Sequence, residues 1–169
     1  QYRRFQTFDD RRSMSHGRLG SDVLRASGLL NVLSGPERAA ILGGVFLHNR
    51  MCVPTSCAPD VGFATRVIRD ADKLDIFPVM LEHFDPSRPR NDVVVLHLVD
   101  APEQYSSTVL DSLAQGRLVQ YGNMFYVNDF KLLLLSWAFD LNFSLTRAKL
   151  KQSGYIERLE HGLPPDERI

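Results

Sequence analysis

Apolar side chains recur at helical spacing along most of the chain, and the polar stretches between them mark the ends of helices. The start is polar and aromatic, with Asp9-Asp10-Arg11-Arg12 reading as a turn. Ser13 or Ser15 can then cap a helix reaching Leu33, whose stripe is His16, Gly20, Val23, Ser27 and Leu30. Pro36 sits at a favoured first helical position behind Ser34 or Gly35. It opens a second helix through Ile41, Leu42, Val45 and Phe46 to His48-Asn49. After a loop with Pro54 and Pro59, a third helix is expected from near Asp60 to about His83. On a helical wheel Phe63, Val67, Ala71, Leu74 and Phe77 form an apolar arc, and Arg66, Arg69 and Lys73 form a basic arc on the far side. Asp75 falls beside the apolar arc and Asp72 between it and the basic one, so neither belongs to the solvated face. Pro78 is expected to break or kink this helix.

Asp85 to Asp92 is a Pro- and Arg-rich connection. Residues 93–98 suit a short β element or a buried helical turn, and periodicity does not decide over so short a run. Thr108 to Gln115 reads as helical. Asn128 to Leu141 is helical and apolar nearly all round, as a central buried helix must be. Two shorter helices follow, about Ser144 to Gln152 and Ile156 to Leu163. The expected fold is an all-α helical bundle occupying residues 1–169 as one domain.

At 169 residues, 44% hydrophobic and 24% charged, the chain can bury a core without disulfide or metal staples. Lys plus Arg equals Asp plus Glu at 20 each, so no global field attracts a nucleic-acid polymer or an anionic membrane. Apolar runs such as Leu132 to Leu135 fall far short of a membrane span. Cys52 and Cys57 share one Pro-rich loop, where free thiols in a reducing cytoplasm are expected.

Candidate chemistry concentrates in Arg69-Asp70-Ala71-Asp72-Lys73-Leu74-Asp75, three carboxylates on a helix that otherwise packs a core. A partly buried carboxylate must be paired, protonated or metal-bound. Solvated ion pairing is the simpler reading of such a run. His48 closes an apolar helix and His16 opens another; each can be a ligand, an anion donor or a packing residue. Two imidazoles and a carboxylate from three successive helices suit Zn, Fe, Mn or Ni if they converge. His83, His97 and His161 read as structural or surface residues. There is no glycine-rich phosphate loop, nucleophile elbow or dinucleotide fingerprint.

Taken in order, His16-Gly17, Leu47-His48-Asn49-Arg50 and Ile68-Arg69-Asp70-Ala71-Asp72-Lys73-Leu74-Asp75-Ile76 resemble the HD-domain superfamily of metal-dependent phosphohydrolases. The stretch Leu135-Ser136-Trp137-Ala138-Phe139-Asp140-Leu141-Asn142-Phe143 resembles the tail of one bacterial branch. The resemblance implies a helical bundle holding a divalent metal (Mn, Fe, Ni, Zn or Mg). It implies Asp72 as a metal ligand, His16 and His48 as the additional histidines, and Asp75 as a carboxylate near the site, with Lys73 helping to anchor it. The implied substrate is a small-molecule phosphate ester such as a nucleotide, in the cytoplasm, and a homodimer is compatible with it. The chain departs from the family in having no His-Asp dipeptide and no His before His16. The expectation is therefore an HD domain incomplete at its N-terminus, with the missing ligands upstream of Gln1. The alternative is a degenerate HD-like module that binds a nucleotide or a protein partner without catalysis.

Overall fold

The computed structural model describes residues 1–168 and is helical throughout, with no β-strand among them. Two compact units divide within one long helix, Gln1–Asp72 and Lys73–Ile169.

In the first unit a short helix α1 (Tyr2–Phe5) precedes a single 3-10 turn over Asp10–Arg12, and the Asp9 carboxylate caps that turn by accepting from the Arg11 amide. Helix α2 (His16–Ser27) starts at Ser15, whose hydroxyl accepts from the Arg18 amide. It stops six residues short of the expected Leu33, because Gly28 takes a left-handed φ of 72°. Helix α3 (Gly35–Leu47) opens with a capping box: Ser34 and Glu37 satisfy each other's backbone amides, with Pro36 just behind. α2 packs on α3. α3 also carries Gly44, where a Cβ would come within 3.0 Å of the Ala64 Cβ, so small residues let α3 and the next helix approach closely.

That next helix, α4 (Pro59–His83), runs through Pro78 as one helix, so the expected break does not occur. Its faces are the reverse of the wheel. Thr65, Arg69, Asp70 and Lys73 are buried, whereas Phe63, Val67, Ala71, Asp72 and Asp75 are exposed. Leu74, Phe77 and Arg66 keep their expected places, half-buried, fully buried and exposed. The physical cause is that the buried cations have acceptors. Arg69 donates to the carbonyls of His48 (3.0 Å), Arg50 and Met51. Lys73 donates to the carboxylate of Asp140 and to its carbonyl at 3.0 Å. A wheel that sorts residues by hydropathy cannot register a charge that is paired inside.

The second unit holds every buried large apolar side chain among the described residues, from Phe77 to Leu159. Residues 92–97 form turns rather than a strand. Leu96 and His97 take left-handed φ values of 57°, and only an isolated parallel bridge joins Val99 to Tyr126. Helix α5 (Ser107–Ala114) packs on α6 (Val127–Ser136), which is buried over nearly its whole length, as its composition predicted. The fully buried Asp129 on α6 accepts from the Ser106 amide (2.6 Å) and hydroxyl (2.7 Å) and from the Phe125 (2.8 Å) and Tyr126 (2.9 Å) amides. Asn128 donates to the carbonyls of Pro102 and Gln104 at 2.7 and 3.0 Å. These bonds meet the backbone groups of the preceding loop, which burial would otherwise leave unpaired. A 3-10 turn over Trp137–Asp140 leads to α7 (Ser144–Ser153), and Gly154 at φ 66° separates it from α8 (Tyr155–His161). No helix is long and apolar enough to cross a membrane among the described residues.

Candidate functional site: paired histidines at the α2–α3 junction

His16 and His48 are 32 positions apart in sequence and side by side in the fold. Their ring centroids are 4.9 Å apart and their planes are inclined at 68°. The local chain explains the meeting. His16 is the first residue of α2 and His48 the residue that closes α3, so a start of one helix lies on an end of the other. Gly17 permits it: a Cβ there would stand 2.8 Å from Asn49 Oδ1 and 2.9 Å from the carbonyl oxygens of Val45 and Phe46. The partial positive charge of an N-terminus then faces the partial negative charge of a C-terminus.

Hydrogen bonds orient both rings. His16 Nδ1 is 2.9 Å from Asp10 Oδ2 and 3.0 Å from Oδ1, and the His16 amide also donates to Oδ1. His48 Nδ1 is 2.7 Å from the Val45 carbonyl oxygen. A carboxylate and a carbonyl only accept, so both Nδ1 atoms carry the proton. Each neutral ring then keeps its lone pair on Nε2. Asp10 is itself held: Asn49 Nδ2 donates to its Oδ2 at 2.6 Å and Gln1 Nε2 to its Oδ1 at 2.8 Å. Asn49 Nδ2 also reaches the Ser15 hydroxyl at 3.0 Å, and the Asn49 backbone follows directly on the carbonyl that Arg69 grips. Asp9 beside this group engages Arg11, whose guanidinium holds the Asp9 carboxyl below its ordinary pKa. The His16 side chain is 43% exposed, so the pair opens to solvent.

Two imidazoles fixed in this way can donate lone pairs to a transition metal or, protonated, hydrogen-bond a phosphoryl oxygen. Of the residues implied by the resemblance, His16 and His48 meet. Asp72 lies on the exposed face of α4 and Asp75 is exposed too, contrary to the wheel that kept both off the solvated face. Lys73 is buried and pairs with Asp140, a carboxylate the resemblance did not assign to it. Among the described residues no group of three His, Cys, Asp or Glu side chains is set to hold a metal ion. Two imidazoles are donors of a kind that transition metals accept, and their number falls short of the three or four protein ligands of a metal site. The sequence places Asp10 in a turn, which is observed, but assigns it no part in the site. The signal was available, since a carboxylate in a tight turn six residues ahead of a helix-opening histidine can fold back on it. No family model, curated protein or solved structure matches the chain.

Proposed function

We propose that the protein is a metal-dependent phosphohydrolase of the HD type, acting on a nucleotide or another small phosphate ester. The observation that supports this reading is the juxtaposition of His16 and His48, each with Nδ1 tied to an oxygen acceptor and Nε2 left for a ligand. His16 and His48 would hold the divalent ion or the substrate phosphate. Asp10 keeps His16 in one tautomer and one orientation, and Asn49 keeps Asp10 in place. The chemistry that a bound divalent ion supplies is polarisation of a phosphoryl oxygen and a lowered pKa for bound water. Asp72 and Asp75 enter the reading through the resemblance alone.

The test is metal analysis and phosphoesterase assay of the product of the entire gene, beside its His16→Ala, His48→Ala and Asp72→Ala variants. Bound transition metal and hydrolysis of p-nitrophenyl phosphate, both lost in the two histidine variants, are expected. A product that binds no such metal and cleaves no phosphoester ends the enzyme reading. The second reading, a degenerate module that binds a nucleotide or a protein partner, is favoured by the apolar surface of the first unit. There Val32 is 90% exposed and Leu29 70%. Nucleotide binding without turnover in the same protein would select it.

A further inference from the structure

A second place in the fold has the make-up of a ligand site, and nothing in the phosphohydrolase reading uses it. It is an open cleft of about 450 Å³ in the second unit, at the C-terminal end of α4 and along α8. Leu81, Phe84, Pro86 and Leu159 supply its apolar wall. Phe84 is braced edge-on by Phe130, with centroids 5.8 Å apart. Lys131, Arg158 and His161 line the same space, against one carboxylate, Asp85. That carboxylate is turned into its own loop: its Oδ1 accepts from the Ser87 amide at 2.9 Å and the Ser87 hydroxyl at 2.7 Å.

The three donors differ in how much they have left to give. Lys131 Nζ donates to Asn128 Oδ1 at 2.9 Å and to the Gly162 carbonyl, and it lies 5.8 Å from the centre of the Phe84 ring. It is a fixed charge behind the wall, and burial pushes its pKa down. His161 Nδ1 is 2.6 Å from the Glu157 carbonyl oxygen, which orients the ring and leaves Nε2 for another partner. Arg158 is exposed, and its guanidinium makes no hydrogen bond among the described residues; its charge helps, behind the Ser87 hydrogen bonds, to hold the Asp85 carboxyl below its ordinary pKa, and its planar fork keeps its donors for a ligand. A site of a few hundred Å³ with an apolar wall and a few convergent polar groups is the usual form of a small-molecule pocket. Basic side chains that outnumber the one carboxylate, beside an apolar wall, select a ligand with an anionic group and an apolar body.

We propose that this cleft binds a small organic anion, a phosphate or carboxylate borne on a ring. Arg158 and His161 grip the charged end, and Phe84, Leu81 and Pro86 cover the ring. The proposal is independent of the paired histidines, and either can fail without the other.

Titration of the full chain with phenyl phosphate and, separately, with benzoate, followed by amide chemical shifts, tests it. Saturable shifts at Phe84, Lys131 and Gly162 are expected with at least one of the two. The arm that binds more tightly identifies the anionic group. Inorganic phosphate and phenol, each carrying half of the recognition, should bind about tenfold or more weakly than the whole ligand. Arg158→Gln, at an exposed position, should keep the melting temperature and weaken binding about tenfold, the value of one charge-assisted hydrogen bond. Arg158→Lys should recover part of that loss, since it restores the charge without the fork. No saturable shift with either probe at millimolar concentration, or equal affinity in Arg158→Gln, overturns the proposal.

Discussion

At the scale of single residues, the histidine pair depends on an atom that is missing. Gly17 lets α2 rest on the last carbonyls of α3, and the nearest of these are backbone atoms that cannot swing away. Gly17→Ala would be favourable for an isolated helix, because Ala is the better helix former. Here the overlap with the Val45 and Phe46 carbonyls outweighs that gain. We expect a net destabilisation of about 1–3 kcal/mol, the usual range for overpacking. Urea unfolding measures it. Loss of the His16–His48 contact, read from histidine ring shifts, should accompany it. An unchanged midpoint with unchanged shifts would mean that α2 and α3 are not in this close contact.

At the scale of elements, Arg69 joins two helices of the first unit. Three residues of α3's end and the loop after it, His48, Arg50 and Met51, would otherwise present carbonyls with no intrahelical donor. Arg69 is buried, 7% exposed, and its guanidinium supplies what the helix cannot. Arg69→Met keeps most of the side chain's volume and removes the donors, so three part-buried carbonyls lose their partner. A loss of about 2–3 kcal/mol is expected, typical of unsatisfied buried polar groups. His48 and Asn49 should become mobile on the same substitution, with faster amide exchange over 48–51. Stability equal to that of the parent would show that water replaces the guanidinium without cost.

At the scale of the whole molecule, the two units are built differently. The second is a conventional core, with Phe77, Val109, Leu110, Leu132, Leu134 and others almost wholly removed from water. The first has no buried large apolar side chain among the described residues. Its buried positions are Gly17, Ser21, Gly44, Gly62, Thr65, Arg69 and Asp70. Hydrophobic burial is the main favourable term in folding, at about 25 cal/mol per Å². Units that bury less of it open more readily. Amides of α2 and α3 should therefore exchange with deuterium well before those of α6 in the isolated chain. Equal protection would contradict this and would mean that the two units open together. If a partner covers the exposed apolar residues of the first unit, its binding should slow exchange there and leave α6 unchanged.

The helical class and most helix starts follow from the order of residues alone. Caps act through neighbours: Ser15 and Ser34 do their work within a turn of where they stand, whereas the stop at Gly28, six residues before the expected end, shows only in the backbone. The buried character of α6 was equally legible, because its apolar residues leave no polar face to turn outward. Residues 93–98 were not, since a short run of Val and Leu suits a strand, a turn or a helix until neighbours choose. Which face of α4 is inside depends on contacts between distant parts of the chain. The acceptors that make Arg69 and Lys73 tolerable there come from His48 to Met51 and from Asp140, far away in the chain. Contacts of this kind also bring His16 to His48, with Asp10 and Asn49 behind them, while Asp72 faces solvent. Such meetings are set by how closely helices approach, and no local pattern encodes that distance.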